Sequence, residues 1–411
     1  MSPDTVLLFP GQGAYTPGCL TGLTAQPLVT DTLQDIDTVT DAYGVGAVTP
    51  LLCDPHAPDA ETLLHAEPDR LQLAIFAASL VVGRLLTERI GTGVVLLGHS
   101  LGELTALTLA GAYSAQDGAR VLCERDRLVR EAALPPGGLL ALGVPVRRAR
   151  ELIARTAPDA LDVAAVNAPR QTVVSGSDTA LERLRAEAEE LGVRHKRLLS
   201  PYAYHNRVME PVARELARAV AELTVHPLRL PVFSTLHLDF YADDGDIGAR
   251  MCRHLVLPVD FLPAVRELQE QGADVFVEAG AGTALTGVVR GALGQVRTVV
   301  PLEGTPTYEE FEAELTRIPG VGDPRQAPVR DGLHAELRRL YAEALEYPEE
   351  FLEPDTHLET ELGVDSVQQT EVLGRVFAHF GLDELPASFR ITRYATLKDV
   401  ADLLTERGAV R

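Results

Sequence analysis

Lysine is almost missing from this chain. Of 411 residues only Lys196 and Lys398 are lysines. Arginine supplies nearly all the positive charge, and acidic residues exceed basic ones enough to give a formal net charge of −22. A chain this acidic repels polyanions. That excludes nucleic acid and anionic membranes as main partners and favours solubility. Cysteine is scarce as well. Cys19, Cys53, Cys123 and Cys252 are scattered and form no C-x-x-C pair. This speaks against a zinc knuckle or a disulfide scaffold, and for free thiols in a reducing cytoplasm. The opening residues, MSPDTVLLFPGQG, have no basic stretch and an apolar run of only four residues. Neither a signal peptide nor a membrane span is expected there. Repeats and low-complexity tracts are also missing. The preference for Arg, Ala, Leu, Gly and Pro is that of a GC-rich bacterial genome.

What is present reads as globular. Hydrophobic residues make up 46% and charged residues 23%, and the length suggests two or three domains. TVLLF, at residues 5–9, reads as a short buried strand followed by the loop GQGAYTPG. Residues 71–90 are apolar nearly all round and predict a buried helix. GVVLLGH predicts a second strand, and the segment after it has helical spacing at Leu101, Leu104, Leu107 and Ala110. Strands alternating with helices imply an α/β core with a mainly parallel sheet, of the α/β-hydrolase-like kind. Residues 136–199 change style. Their predicted order, βαββαβ, is the ferredoxin-like arrangement, inserted as a small subdomain. Residues 318–330, IPGVGDPRQAPVR, are rich in Pro and Gly without an apolar period, and read as a linker. The predicted division is therefore 1–317, the linker, and 331–411. That last segment carries 17 acidic and 8 basic residues. It reads as an all-α bundle with helices near 331–346, 366–380 and 395–407.

The stretch VVLLGHSLGELTAL, residues 94–107, holds Ser100 between two glycines at a strand-to-helix turn. G-x-S-x-G in that setting is a nucleophile elbow. The glycines let the backbone pass closely, and the helix start offers N–H groups and a positive dipole end to an oxyanion. Taken alone, Ser100 is either a nucleophile or a small residue in a tight turn.

FPGQGAY at 9–15, GHSLGE at 98–103 and YAYHNRVMEP at 202–211 occur in that order. Over roughly residues 5–300 the chain resembles the acyl-CoA:acyl-carrier-protein transacylases. These include the malonyl transacylases of fatty-acid synthesis and the acyltransferase domains of polyketide synthases. The resemblance implies a Ser-His dyad. Ser100 is its nucleophile, forming an acyl-enzyme ester, and His205 its general base and acid. It further implies an oxyanion hole from the backbone N–H groups of Gln12 and Leu101. His99 and Gln72 line the site, and the His254 backbone carbonyl orients His205. The family usually has Gln or Asn where this chain has His254. Arg125, six residues before Glu131, matches the arginine that clamps the free carboxylate of malonyl-type groups, for which a planar guanidinium is suited. Asp126 stands where the family has Gly, and a negative charge there competes for the arginine. Tyr202-Ala203-Tyr204-His205 is a hybrid of the family's acyl-selecting tetrapeptides. Its bulky Tyr204 leans towards malonyl, and Asn206 follows where Ser is usual. The plainer readings are an exposed loop histidine for His205, packing for His254, a loop anchor for Gln12 and a solvated helix face for Arg125.

ELGVDSVQQTEVL, ending at Leu373, resembles the acyl-carrier-protein motif over about 330–408, with Val367 in place of the usual Leu. The resemblance implies 4′-phosphopantetheine on Ser366, added by a separate phosphopantetheinyl transferase. A serine at a helix N-terminus suits a phosphate, or is a plain N-cap. Together these features imply an acyltransferase–carrier didomain. It would take a malonyl-type group from a coenzyme A thioester to its own or another carrier domain. A downstream ketosynthase or other assembly-line enzyme would then consume the product. The alternatives are transfer between carrier proteins and a non-catalytic scaffold. A simple serine esterase is disfavoured, since no acid follows in a recognisable loop.

Overall fold

The computed structural model describes residues 4–319 except 92 and 243–245, then residue 321. Beyond these it describes 328–345, 347–348, 352, 356–358, 362, 364, 366–379 and 396–406. These residues form two compact units, Met1–Val321 and Gly322–Arg411. Part of the segment read as a linker, residues 320 and 322–327, lies outside the described residues, as does Asp365.

The larger unit is built on a six-stranded sheet. Its strands are β1 (Thr5–Phe9), β2 (Val94–Gly98), β7 (Val232–Ser234), β8 (Asp239–Phe240), β9 (Val275–Glu278) and β10 (Arg297–Val299). They lie in the order β10-β9-β1-β2-β7-β8. All pairings are parallel except β7 with β8, a short antiparallel hairpin at the edge that the apolar pattern did not predict. β1 and β2 are buried throughout, as strands covered on both faces must be. The apolar helix Pro68–Ile90 packs beside them with Leu73, Ile75, Phe76 and Leu80 fully buried. Each such side chain contributes about 1.5–3 kcal/mol of burial. Its length and hydropathy would suit a membrane crossing, but in this fold it is the central core helix.

The inserted subdomain holds β3 (Gly137–Leu142), β4 (Leu161–Ala168), β5 (Gln171–Ser177) and β6 (His195–Leu198), with helices Val146–Thr156 and Asp178–Glu190. Its antiparallel order, β4-β5-β3-β6, is ferredoxin-like. It joins the main body through a β-bridge from Ala165 to Val259, with backbone bonds from Val166 N–H to Val259 O and from Val259 N–H to Ala164 O.

The second unit is helical. Pro328–Leu345, Ser366–His379 and Leu397–Glu406 are its helices. Leu337 and Tyr341 from the first, Val372 and Val376 from the second, and Val400 and Leu404 from the third share one core. Thr396 and Asp399 cap the last helix reciprocally, each accepting the other's backbone N–H.

Parallel pairing sets Phe9 of β1 opposite Gly98 of β2. The loops that follow, FPGQG and GHSLG, therefore leave the sheet side by side at its carboxyl end, where α/β proteins build sites. The fit is tight. A Cβ on Gly102 would lie 1.9 Å from the Phe9 carbonyl oxygen, and one on Gly98 would lie 2.2 Å from Glu103 N. Gly102→Ala is expected to destabilise the larger unit by about 1–3 kcal/mol or more through overpacking. Gly291→Ala, whose added methyl would meet nothing within 4 Å, serves as the control. Thermal unfolding of the two variants should show a clear drop for the first and none for the second.

Candidate active site

The elbow is strained at its serine. Ser100 has φ 57° and ψ −118°, a conformation disfavoured for a residue with a Cβ. His205 is also left-handed, at φ 59°. Strain of this kind costs on the order of 1–3 kcal/mol per residue and persists only where the surroundings enforce it. The two residues meet: Ser100 Oγ lies 2.8 Å from His205 Nε2. The opposite ring nitrogen, His205 Nδ1, lies 2.8 Å from the carbonyl oxygen of Leu257. It therefore donates to that carbonyl, which leaves Nε2 free to accept from the serine.

That contact corrects one expectation. The orienting carbonyl belongs to Leu257, not to His254. A 3-10 turn over Arg253–Leu255 folds His254 into the interior, where its Nδ1 donates to the Met251 carbonyl at 2.9 Å. The chain then runs on to present Leu257.

His205 is 5% exposed. Burial pushes its pKa down to about 4, with His99 and Arg125 adding to the fall against the Leu257 hydrogen bond. The imidazole is therefore a neutral base at pH 7. Its backbone is held too, since Ser175 Oγ donates to the His205 carbonyl at 3.1 Å. Asn206, expected to line the substrate pocket, is engaged elsewhere. Its amide donates to the Ser175 carbonyl at 3.1 Å and its Oδ1 accepts from Val208 N–H. It works as a clamp behind His205.

Backbone N–H groups of Gln12 and Leu101 flank the elbow, and no partner for either occurs among the described residues. The Gln12 side chain donates to the Leu199 carbonyl at 2.7 Å, tying its loop to the segment that leads to His205. His99 Nε2 donates to Asn167 Oδ1 at 2.8 Å, and Phe261 packs against the ring. Asn167 comes from β4 of the inserted subdomain, and sequence reasoning missed it. The two residues are 68 apart in the chain and meet only in the tertiary structure, two residues from the bridge between Ala165 and Val259.

Arg125, Gln72 and Tyr204 form one buried group. Arg125 Nη2 donates to Gln72 Oε1 at 2.5 Å, and Gln72 Nε2 donates to the Tyr204 hydroxyl at 3.4 Å. The guanidinium carbon lies 5.6 Å from the Tyr204 ring centroid, a cation–π distance. Tyr202 meets Tyr204 edge-on at 5.9 Å. Asp126 pairs with Arg125 inside the same cluster. Behind the elbow, Glu103 is fully buried and accepts from Ser234 Oγ, Tyr241 OH and Thr235 Oγ1. Burial raises its pKa against those hydrogen bonds. In the second unit, Ser366 is the first residue of helix Ser366–His379.

A strained serine thus meets a backbone-oriented histidine beside a helix start. Residues 6–317 match the acyl transferase domain family, and the chain belongs to that family. Residues 335–404 match the phosphopantetheine attachment site, a domain that bears 4′-phosphopantetheine covalently. The chain is 33% identical over 314 residues to erythronolide synthase EryA3 of Saccharopolyspora erythraea, covering 76% of this chain and 10% of that protein. It is 34% identical over 296 residues to the spectinabilin polyketide synthase protein NorA' of Streptomyces orinoci, covering 70% and 8%. It thus spans about a tenth of the length of these relatives. Among solved structures it is similar to the malonyl-CoA:acyl-carrier-protein transacylase of Coxiella burnetii. That match has a TM-score of 0.69 and 26% identity, and covers 77% of this chain and 98% of the other. The acyltransferase domain of the second salinomycin polyketide synthase module gives a TM-score of 0.67 and 29% identity, covering 78% and 75%.

The low pKa of His205 has a readable consequence. The expected acylation of Ser100 by a thioester keeps its neutral-pH rate down to about pH 5 and falls only as His205 protonates near about 4. Burst kinetics on the Ser366→Ala chain check this. A midpoint near 6.5, the ordinary histidine value, would contradict it.

Proposed function

We propose that the chain is an acyltransferase joined to its own carrier domain. It moves an acyl group from a coenzyme A thioester, through an ester on Ser100, to the 4′-phosphopantetheine arm on Ser366. The observation that carries this reading is the Ser100–His205 contact at 2.8 Å with Leu257 behind it. Ser100 Oγ attacks the thioester carbonyl while its proton passes to His205 Nε2. The Gln12 and Leu101 N–H groups stabilise the oxyanion. The C–S bond breaks, and His205 returns the proton to the departing thiolate. In the second half the arm's thiol gives its proton to His205, its sulfur attacks the Ser100 ester, and the proton returns to Ser100.

A phosphodiester-linked arm fits a serine that opens a helix, where backbone N–H groups are unpaired. When bound, the arm supplies the accepting thiol. Fusion keeps the acceptor at high effective concentration. Arm attachment needs a phosphopantetheinyl transferase, and a ketosynthase or other assembly-line enzyme would consume the product. The relatives' names favour a malonyl-type group held by Arg125. One observation favours a second reading, an acyl group without a carboxylate: Arg125 already holds Asp126.

The test uses two inactive chains. Arm-bearing Ser100→Ala is mixed with Ser366→Ala and an acyl-CoA, and intact masses are followed. Neither chain alone should form the arm thioester, and the mixture should. Loading of Ser100→Ala by itself would remove Ser100 from the mechanism.

A further inference from the structure

Asp126 sits beside Arg125, and the pair is closed. Asp126 Oδ1 accepts from Arg125 Nε at 2.8 Å and lies 2.8 Å from Nη2 as the ion pair. Nη2 also donates to Gln72 Oε1 at 2.5 Å. A guanidinium grips a carboxylate through one of two edges, Nε with Nη2 or Nη1 with Nη2. The first edge holds Asp126. The second has given its Nη2 half to Gln72. Both charged side chains are only 3% exposed, so their charges balance inside the protein. An acyl carboxylate brought here would leave a net negative charge away from water, which buried sites do not tolerate without a further partner.

The unfilled hydrogen-bonding capacity points the other way. Asp126 Oδ2 and His254 Nε2 are buried and have no partner among the described residues. His254 Nδ1 carries the proton, because it faces the Met251 carbonyl. Its Nε2 is therefore an acceptor, on a ring that burial and the Arg125 charge keep neutral. Buried acceptors call for donors. A carboxylate has none to offer. A hydroxyl or an amino group has.

We propose that this site takes an acyl group with no carboxylate and with a hydroxyl or amino hydrogen-bond donor, and that Asp126 sets the choice by occupying Arg125. The inference rests on the transferase reading and selects among its acyl classes. Asp126 acts here as a specificity residue. Replacing it frees a guanidinium edge and removes an orphan acceptor together.

The test uses the full, arm-bearing chain and four probes: malonyl, propionyl, 3-hydroxypropionyl and 3-aminopropionyl thioesters. Each is offered on coenzyme A, and also on the arm of the Ser100→Ala chain, where a phosphopantetheinyl transferase installs it directly. The hydroxy or amino probe is expected to show kcat/KM about tenfold or more above malonyl, and comparing these two probes separates hydroxyl from amine. Asp126→Gly, with Asp126→Asn as a second variant, should raise malonyl transfer about tenfold and lower that of the donor-bearing probe. Malonyl preferred by the unaltered chain, with its rank unchanged in both variants, would overturn this inference alone. No transfer of any probe from either donor would overturn the transferase reading and the inference together.

Discussion

The site depends on one close approach, Gly102 beneath the carbonyl of Phe9. Any side chain there would push the helix away from the β1 loop. Because the helix stays close, Ser100 is forced into its left-handed conformation at the end of β2. The same closeness brings the Gln12 loop beside the elbow. In the proposed reaction the glycines would serve the chemistry through the backbone positions they permit. They fix where an oxyanion would stand relative to the proposed nucleophile, and such preorganisation is the largest lever sites of that kind have.

Around that fixed point the inserted subdomain acts as a positioning device. Ser175 holds the backbone of His205, and the Asn206 clamp reaches back to the same residue. Asn167 fixes the tautomer of His99. The bridge from Ala165 to Val259 steadies the segment that carries Leu257. The base is oriented by a neutral carbonyl instead of a carboxylate. A buried imidazole next to a carbonyl stays neutral, whereas a carboxylate would favour the imidazolium. The result is an imidazole that is unprotonated at pH 7 and, as the proposed base, modest in strength. A thioester, whose leaving thiolate needs little help, is a suitable substrate for such a base.

Much of this was legible in the sequence, for identifiable reasons. The buried runs at 5–9 and 94–98 could only be inner strands, and the βαββαβ alternation at 136–199 carried the small subdomain's topology. Ser100 and His205 announced themselves through their neighbours, glycines for one and a tyrosine-rich turn for the other. The misses have a common cause. The Leu257 contact uses a carbonyl that any residue type supplies, so no side chain marks it, and His254 drew attention by its chemistry alone. Asn206 faces away from the pocket because the turn after His205 sends its amide towards β5. Asn167 lies far from His99 in the chain and meets it only through tertiary structure. Asp126 was visible as an odd residue beside Arg125, but its buried ion pair with the guanidinium was not.

The most direct measurement is labelling with a fluorophosphonate, followed by peptide mapping. Such a reagent reacts with a serine only where a base and an oxyanion hole activate it. The expected result is one adduct, on Ser100, lost when His205 is replaced by alanine. An adduct on another serine, or equal labelling of Ser100 without His205, would contradict the assignment of this dyad.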